Sequence, residues 1–124
     1  MMENAKLQAL IGAARPDAAR EFYQNTLGLT LHGEDQFAMT FTIGGAFLRV
    51  SKVPAVAPSP YAVAGFEVPD IEAVVVQLRL KNVRIERFPF LQHDEQGVWT
   101  APDGAKVAWF RDPDLNLLSV TQPG

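Results

Sequence analysis

A short proline-rich segment near the middle of the chain is the feature that most constrains the fold. The stretch from Val53 to Pro60 reads VPAVAPSP, and its three prolines in eight residues exclude a helix and a central strand. It predicts a linker over residues 53–60 that joins a first module, residues 6–52, to a second, residues 61–122. Because 124 residues is the length of one ordinary domain, the two modules are expected to be parts of a single domain over residues 1–124.

The first module is predicted to have the order strand, helix and then three strands. The apolar run from Leu7 to Ala13 indicates a largely buried strand. Pro16 is well placed in the first turn of a helix, and Gly28 has the position of a glycine that ends one. Three strands are predicted to follow, over about residues 29–32, 36–42 and 46–52. The pair Gly44-Gly45 predicts a hairpin turn between the last two.

The third of these strands alternates apolar and mixed positions. Leu48 and Val50 form one side of it and are expected to pack under the helix, which leaves Phe47 and Arg49 on the other side. In the strand before it, Phe37, Met39 and Phe41 alternate with polar residues and are predicted to share one face. Arg49 is therefore expected to face away from the core.

The second module repeats the same order of elements. A strand is predicted over residues 61–68, and Asp70 is the expected N-cap of a second helix with apolar positions at helical spacing. Strands are predicted over about residues 83–88, 106–110 and 115–121, and residues 89–100 are expected to form a loop that contains part of a strand. Two copies of one element order suggest a duplicated module.

Composition narrows the class of protein. The net charge is −3 and 48% of the residues are hydrophobic, a balance that is typical of a folded globular protein. The acidic balance argues against nucleic-acid partners. The chain has no cysteine, so disulfides, thiolate zinc sites and cysteine nucleophiles are excluded. No apolar run resembles a membrane span or a signal peptide, which predicts a cytoplasmic protein with no membrane partner.

Three motifs, in order along the chain, resemble those of a known superfamily. They are EFYQNTLGL from Glu21 to Leu29, GFEVPDIEA from Gly65 to Ala73, and AWFRDPDLNLL from Ala108 to Leu118. This ordered set is similar to the vicinal oxygen chelate superfamily, also known as the glyoxalase, bleomycin-resistance and extradiol-dioxygenase fold, although Leu115 stands where its DPxGN motif usually has glycine. The resemblance implies an α+β fold in which two βαβββ modules form an incomplete eight-stranded barrel around a cavity. It also implies a homodimer.

The resemblance further implies four strand positions where metal-dependent members carry His, Glu or Gln ligands. In this sequence they are occupied by Gln8, Arg49, Val63 and Ser119. Only Gln8 offers an ordinary ligand atom, valine cannot ligate, and arginine would repel a divalent ion. We therefore expect neither the standard metal site nor another cofactor, which disfavours glyoxalase, extradiol dioxygenase and fosfomycin-transferase activity.

Other polar and aromatic residues complete the predicted site. Trp99 and Trp109 are candidates to line a ligand cavity, because aromatic walls bury flat molecules well. Arg49 is expected to face the cavity, where it either pairs with Glu67 or awaits an anionic ligand. The two histidines of the chain lie in segments 32–35 and 93–95. The first segment is predicted to be a polar turn between strands and the second a solvated loop.

The sequence therefore predicts a protein that binds a small organic molecule without metal. Its binding residues would be Gln8, Arg49, Val63, Glu67, Trp99, Trp109 and Ser119. The alternative is an enzyme of the same superfamily, a lyase, isomerase or dioxygenase with a non-standard site, in which Glu67 would be the candidate titratable group. An interaction module without turnover is a third possibility. The sequence does not identify the ligand.

Overall fold

The computed structural model describes all 124 residues and has an α+β architecture. The chain forms two compact units, Met1–Ala57 and Pro58–Gly124. Each unit has one four-stranded mixed sheet, so the eight strands form two separate sheets rather than one closed barrel. No helix has both the length and the hydrophobicity to cross a membrane.

Each unit has the predicted order of elements, but some ends are shifted and one predicted strand is replaced by another. The first unit contains β1 (Gln8–Ala13), α1 (Pro16–Glu21), β2 (Thr30–Glu34), β3 (Ala38–Ile43) and β4 (Ala46–Lys52). The second unit contains β5 (Ala64–Glu67), α2 (Ile71–Leu80), β6 (Trp99–Thr100), β7 (Lys106–Arg111) and β8 (Leu117–Gln122).

The sheet of the first unit has the strand order β1-β4-β3-β2, with β1 parallel to β4 and the other neighbours antiparallel. One face is the core: Met39, Phe41, Leu48 and Val50 are fully or almost fully buried. The ring of Tyr23 lies 5.7 Å from that of Phe41. The apolar side of the α1 region thus covers one face of the sheet, as the alternation in β4 predicted.

The first helix is less regular than its apolar spacing suggests. After α1, the chain continues as a π-helical segment over Phe22–Thr26, where the backbone bonds span five residues. The amide of Leu27 donates to the carbonyl of Phe22 at 2.9 Å. Gly28 then has φ +79°, the left-handed conformation that ends helices at low cost for glycine. The prediction that the helix ends at Gly28 is confirmed. The prediction of one regular α-helix up to Gly28 is wrong, because the last part is π-helical.

The sheet of the second unit has the order β5-β8-β7-β6, again with one parallel pair, β5 and β8. The helix α2 buries Ile71, Val75 and Leu78. Its predicted N-cap is confirmed, since the carboxylate of Asp70 accepts a hydrogen bond from the amide of Ala73 at 3.3 Å. Helix spacing and cap chemistry therefore located α2 correctly despite its run of valines.

The strand predicted over residues 83–88 does not form. This segment touches β7 at a single bridge, where the amide of Glu86 donates to the carbonyl of Trp109 at 2.8 Å. Beside this bridge, β6 occupies the edge of β7 and pairs with its residues Lys106 and Val107. Pro89 has no amide to continue a ladder. The fourth strand of the sheet is therefore β6, inside the segment predicted to be mostly loop.

Two aromatic residues predicted to lie on strands lie outside them. Phe37 is 64% exposed and precedes β3, where the carboxylate of Asp35 accepts hydrogen bonds from the amides of Phe37 and Ala38. This side-chain turn takes Phe37 out of the alternation. Tyr61 is also exposed, because β5 begins only at Ala64.

Candidate functional site

The face of the first sheet opposite the core is mixed in chemistry. Residues opposite each other in register point to the same side of a sheet, and the pairs Leu10–Arg49, Thr40–Arg49 and Thr42–Phe47 lie on this face. We call this surface, formed by Gln8, Leu10, Thr40, Thr42, Phe47 and Arg49, the open face. Leu10 is 59% exposed on it. An open face with one cation, two hydroxyls and apolar surface is suited to an amphiphilic ligand.

Arg49 lies at the centre of this arrangement. It is half-buried, and its guanidinium makes no hydrogen bond or ion pair within the chain. The pKa of the Asp35 carboxyl lies below its ordinary value, mainly through the amides of Phe37 and Ala38, and the charge of Arg49 contributes less. Arg49 thus lies across β4 from the core, as predicted, with its donors available.

A histidine borders the open face at a strand irregularity. The register between β2 and β3 shifts between Leu31 and Gly33, which leaves His32 as the extra residue of a bulge. The His32 ring stands edge-to-face on Phe47, with 5.5 Å between ring centroids. His32 was predicted to lie in a polar turn; it is exposed, but it belongs to β2 and contacts the open face.

In the second unit, the face opposite the core has Trp109 and Ser119 directly opposite each other on β7 and β8. Gly65 of β5 is opposite Ser119 on its other side, and a β-carbon at Gly65 would lie only 2.7 Å from the Ser119 hydroxyl oxygen. The glycine therefore lets the Ser119 side chain lie close to β5. Val63 is half-buried just before this strand, and Glu67 is exposed at its end.

Five rings form an aromatic cluster beside this face: Phe88, Phe90, His93, Trp99 and Trp109. The centroids of Trp99 and Trp109 are 6.1 Å apart, and Phe88 stands edge-on to Trp109 at 5.3 Å. Phe90 is 5.6 Å from Phe88 and largely exposed. The structure thus brings the two predicted tryptophans together. Phe110, the neighbour of Trp109, instead points into the core.

His93 lies among these rings and is held through both nitrogens. The amide of Phe88 donates to Nε2 at 3.0 Å, and Nδ1 lies 2.7 Å from the carbonyl oxygen of Gly97. Its ring also contacts Phe88 and Trp109, at 6.2 and 6.1 Å. The prediction of a solvated loop is therefore wrong for His93, which is half-buried and fully bonded.

The loop around His93 is fixed by several further bonds. The Asp94 carboxylate accepts from the amides of Gln96 and Val98, both at 2.9 Å. Arg79 and Arg87 donate to the carbonyls of Gln96 and Glu95. Beside this loop lies a shallow, open depression of about 530 Å³, lined by Phe90, Leu91, Gln92, His93, Asp94, Val98, Trp99 and Thr100. The wall of aromatic rings is therefore built on an ordered loop.

The donor chemistry does not fit the metal site that the superfamily implies. On the first sheet, Gln8 shares its face with the cation Arg49. In the second unit, Val63 has only hydrocarbon and Ser119 only a hydroxyl to offer. No three His, Asp or Glu side chains are grouped so that they could hold a metal ion. Divalent metals need several O, N or S donors, so these residues do not form a metal site of that kind.

Comparison with known proteins is consistent with this architecture. A model of the Glyoxalase/Bleomycin resistance protein/Dioxygenase superfamily matches residues 7–120. The fold and this match define the class, and the chain belongs to that superfamily. A search of curated proteins finds no match.

Several solved structures share the fold at low sequence identity. A glyoxalase family protein from Enterococcus faecalis is 22% identical with a TM-score of 0.74, over 98% of this chain and 99% of that one. A bleomycin resistance determinant encoded on transposon Tn5 is 18% identical with a TM-score of 0.76, over 97% and 98%. TnmS3, an antibiotic-binding protein from Streptomyces sp. CB03234, is 18% identical with a TM-score of 0.68, over 98% of both chains.

Sequence reasoning missed part of the polar and aromatic surface. The contact of His32 with Phe47 depends on the bulge in β2, for which the sequence around Gly33 gives only a weak signal. The position of His93 depends on bonds to Phe88 and Gly97 that close a loop. Gly97, with φ +93°, could have indicated a tight turn beside His93.

Proposed function

We propose that this protein binds a small anionic organic molecule without a resident metal. The observation that carries the proposal is Arg49, a half-buried cation on the open face with no hydrogen bond or ion pair of its own. A half-buried arginine without a hydrogen-bond partner has donors available, and a ligand carboxylate, sulfonate or phosphate could accept charge-assisted hydrogen bonds from them.

The neighbours of Arg49 favour a ligand with a flat apolar part. Leu10 and Phe47 offer apolar surface on either side of it, and Thr40 offers a hydroxyl directly opposite in register. In the second unit the aromatic cluster offers surface of similar character around Trp99 and Trp109. Burial of rings supplies most of the affinity for such ligands, and a few polar groups set their orientation. TnmS3, an antibiotic-binding protein of the same fold, is a precedent for sequestration as the mechanism.

One solved structure of the same fold is a lactoylglutathione lyase, but the residues on the two sheet faces of this chain do not support the alternative of an enzyme. A general acid or base in a site is expected to be shielded from solvent and held near the reacting group. Glu67, the candidate, is exposed at the end of β5, and its side chain makes no hydrogen bond. The residues at the four expected ligand positions do not supply a Lewis acid through a bound metal. Binding is therefore the function that these residues support best.

The test uses two fluorescent probes of similar shape, anilinonaphthalene sulfonate and its neutral counterpart phenylnaphthylamine. Arg49→Met is expected to weaken binding of the sulfonate about tenfold or more, because the loss of a hydrogen bond to a charged group costs that much binding free energy. It should leave binding of the neutral probe nearly unchanged. Arg84→Met removes the same charge from an arginine whose side chain is 89% exposed and is the matched control. Equal losses in both variants, or undiminished sulfonate binding in Arg49→Met, would refute the proposal.

A further inference from the structure

We infer that His93 is a proton-controlled latch that positions the aromatic cluster. A carbonyl oxygen can only accept a hydrogen bond, so the Nδ1 atom that lies 2.7 Å from the Gly97 oxygen must carry the proton. Nε2 must then be unprotonated, because it accepts from the amide of Phe88 at 3.0 Å. The observed geometry is satisfied only by the neutral imidazole with its proton on Nδ1.

Protonation of the ring would place two donors against each other. The charged imidazole has N–H groups at both nitrogens, so Nε2–H would face the N–H of Phe88. The bond to Gly97 persists, whereas the bond to Phe88 is lost. Since the Phe88 ring stands on Trp109 at 5.3 Å, release of the Phe88 backbone alters the packing around Trp109. His93 is thus a positioning residue for the aromatic wall.

The charged groups around His93 have other partners or are exposed. In its own loop, Asp94 is bonded to two amides, and the Glu95 side chain is exposed. From the preceding segment Arg87 donates to the Glu95 carbonyl, and from α2 Arg79 donates to that of Gln96.

No side chain on the neighbouring strands ordinarily changes its charge between about pH 5 and 8. On β7, Arg111 pairs with Glu86 of the adjoining segment at 2.8 Å, and β6 consists of Trp99 and Thr100, which do not titrate in this range. No carboxylate forms an ion pair with His93. Histidine is the side chain that ordinarily changes charge between about pH 5 and 8, where carboxylates stay ionised.

The latch makes the aromatic wall depend on the protonation state of His93. Trp109 lies opposite Ser119 on the open side of the second sheet, so a shift of Phe88 changes the shape of that surface. This inference goes beyond ligand binding, because the loop responds to the proton whether or not a ligand is present. It can therefore be tested on the protein alone.

The first experiment follows single amides by hydrogen exchange and NMR in the wild-type protein. The protection factor of the Phe88 amide is expected to fall about tenfold, the effect of losing one hydrogen bond, between about pH 7.5 and the pH at which ¹⁵N shifts show the His93 ring protonated. The Val68 amide, bonded to the Thr121 carbonyl at 2.8 Å in the same unit, is the control and should keep its protection. At the higher pH, ¹⁵N shifts of the imidazole should show the proton on Nδ1.

Two variants separate the latch from general effects of acid. His93→Gln keeps an acceptor that does not titrate in this range, so the near-ultraviolet circular dichroism of the two tryptophans should lose its pH response. His32→Gln changes the other histidine, which contacts Phe47, and should retain it. If the Phe88 amide keeps its protection while His93 titrates, or if the proton resides on Nε2 at neutral pH, the inference is overturned. These wild-type measurements decide the question even where His93→Gln does not fold.

Discussion

The carboxylate of Glu34 accepts two hydrogen bonds from the guanidinium of Arg20, at 2.8 and 2.6 Å. Lys52 donates a third, at 2.7 Å. Arg20 belongs to α1, Glu34 to β2 and Lys52 to β4, so a single carboxylate joins the helix to two strands of the sheet. The Glu34 side chain is 23% exposed, so solvent partly screens these charges.

This arrangement predicts a specific acid sensitivity. The bonds from Arg20, and then those from Lys52, lower the pKa of Glu34 from an ordinary 4.5 to about 2. A lowered folded-state pKa contributes stability that is complete above the unfolded value and is lost as the pH falls towards the folded value. The gap in unfolding free energy between wild type and Glu34→Gln should therefore be full above about pH 4.5 and shrink towards about pH 2.

Urea denaturation at several pH values measures this gap. Glu67→Gln is the matched control, since Glu67 is exposed and its side chain makes no hydrogen bond. Its gap should be small and nearly constant. A Glu34→Gln gap that does not change between about pH 5 and about pH 2.5 would contradict the prediction.

Gly28 is predicted to contribute to stability through its backbone conformation alone. Its φ is +79°, and a β-carbon built there meets no atom within 4 Å. Gly28→Ala should therefore cost about 1 kcal/mol of unfolding free energy, the penalty of a β-carbon in the left-handed region. Gly33→Ala is the control, because Gly33 also has open space but no positive φ. Equal denaturation midpoints for the two variants would show that the helix end does not require glycine.

Leu115 is a position where glycine is expected to make the protein more stable. It has φ +68° and is 54% exposed, in the turn where the superfamily motif usually has glycine. Leu115→Gly should be more stable than Leu115→Ala by about 1 kcal/mol, since only glycine relieves the left-handed strain. Thermal denaturation of the two variants checks this. If Leu115→Ala were as stable as Leu115→Gly, the β-carbon at this position would not strain the turn, and the prediction would be wrong.

The purified protein is predicted to contain well under one divalent ion per chain. Gln8 is the one ordinary metal ligand among the four expected positions, and Arg49 would repel a divalent cation on the same face. Elemental analysis after mild purification measures the metal content. About one equivalent of manganese, iron, nickel or zinc, lost together with probe binding in a chelator, would contradict the prediction.

The sequence by itself determined those features that depend on local chemistry. The helix α2 has apolar residues at helical spacing and the side-chain cap of Asp70, and both can be read from the chain. The inward Leu48 and outward Arg49 follow from the alternation of a strand whose sides point in opposite directions. Gly28 has the position where a helix must end in a left-handed turn.

Only the tertiary structure decided which residues meet across longer distances. Residues 83–88 alternate like a strand, yet they share one edge of β7 with β6, and an edge has only one set of donors and acceptors to offer. The exclusion of Phe37 from β3 depends on the Asp35 turn. His93 looks like a polar loop residue in the sequence, and its neutral tautomer is fixed by Phe88 and Gly97, which become its partners only when the loop closes. Hydrogen bonds and ring contacts are directional, so such a site depends on geometry that residue spacing does not contain.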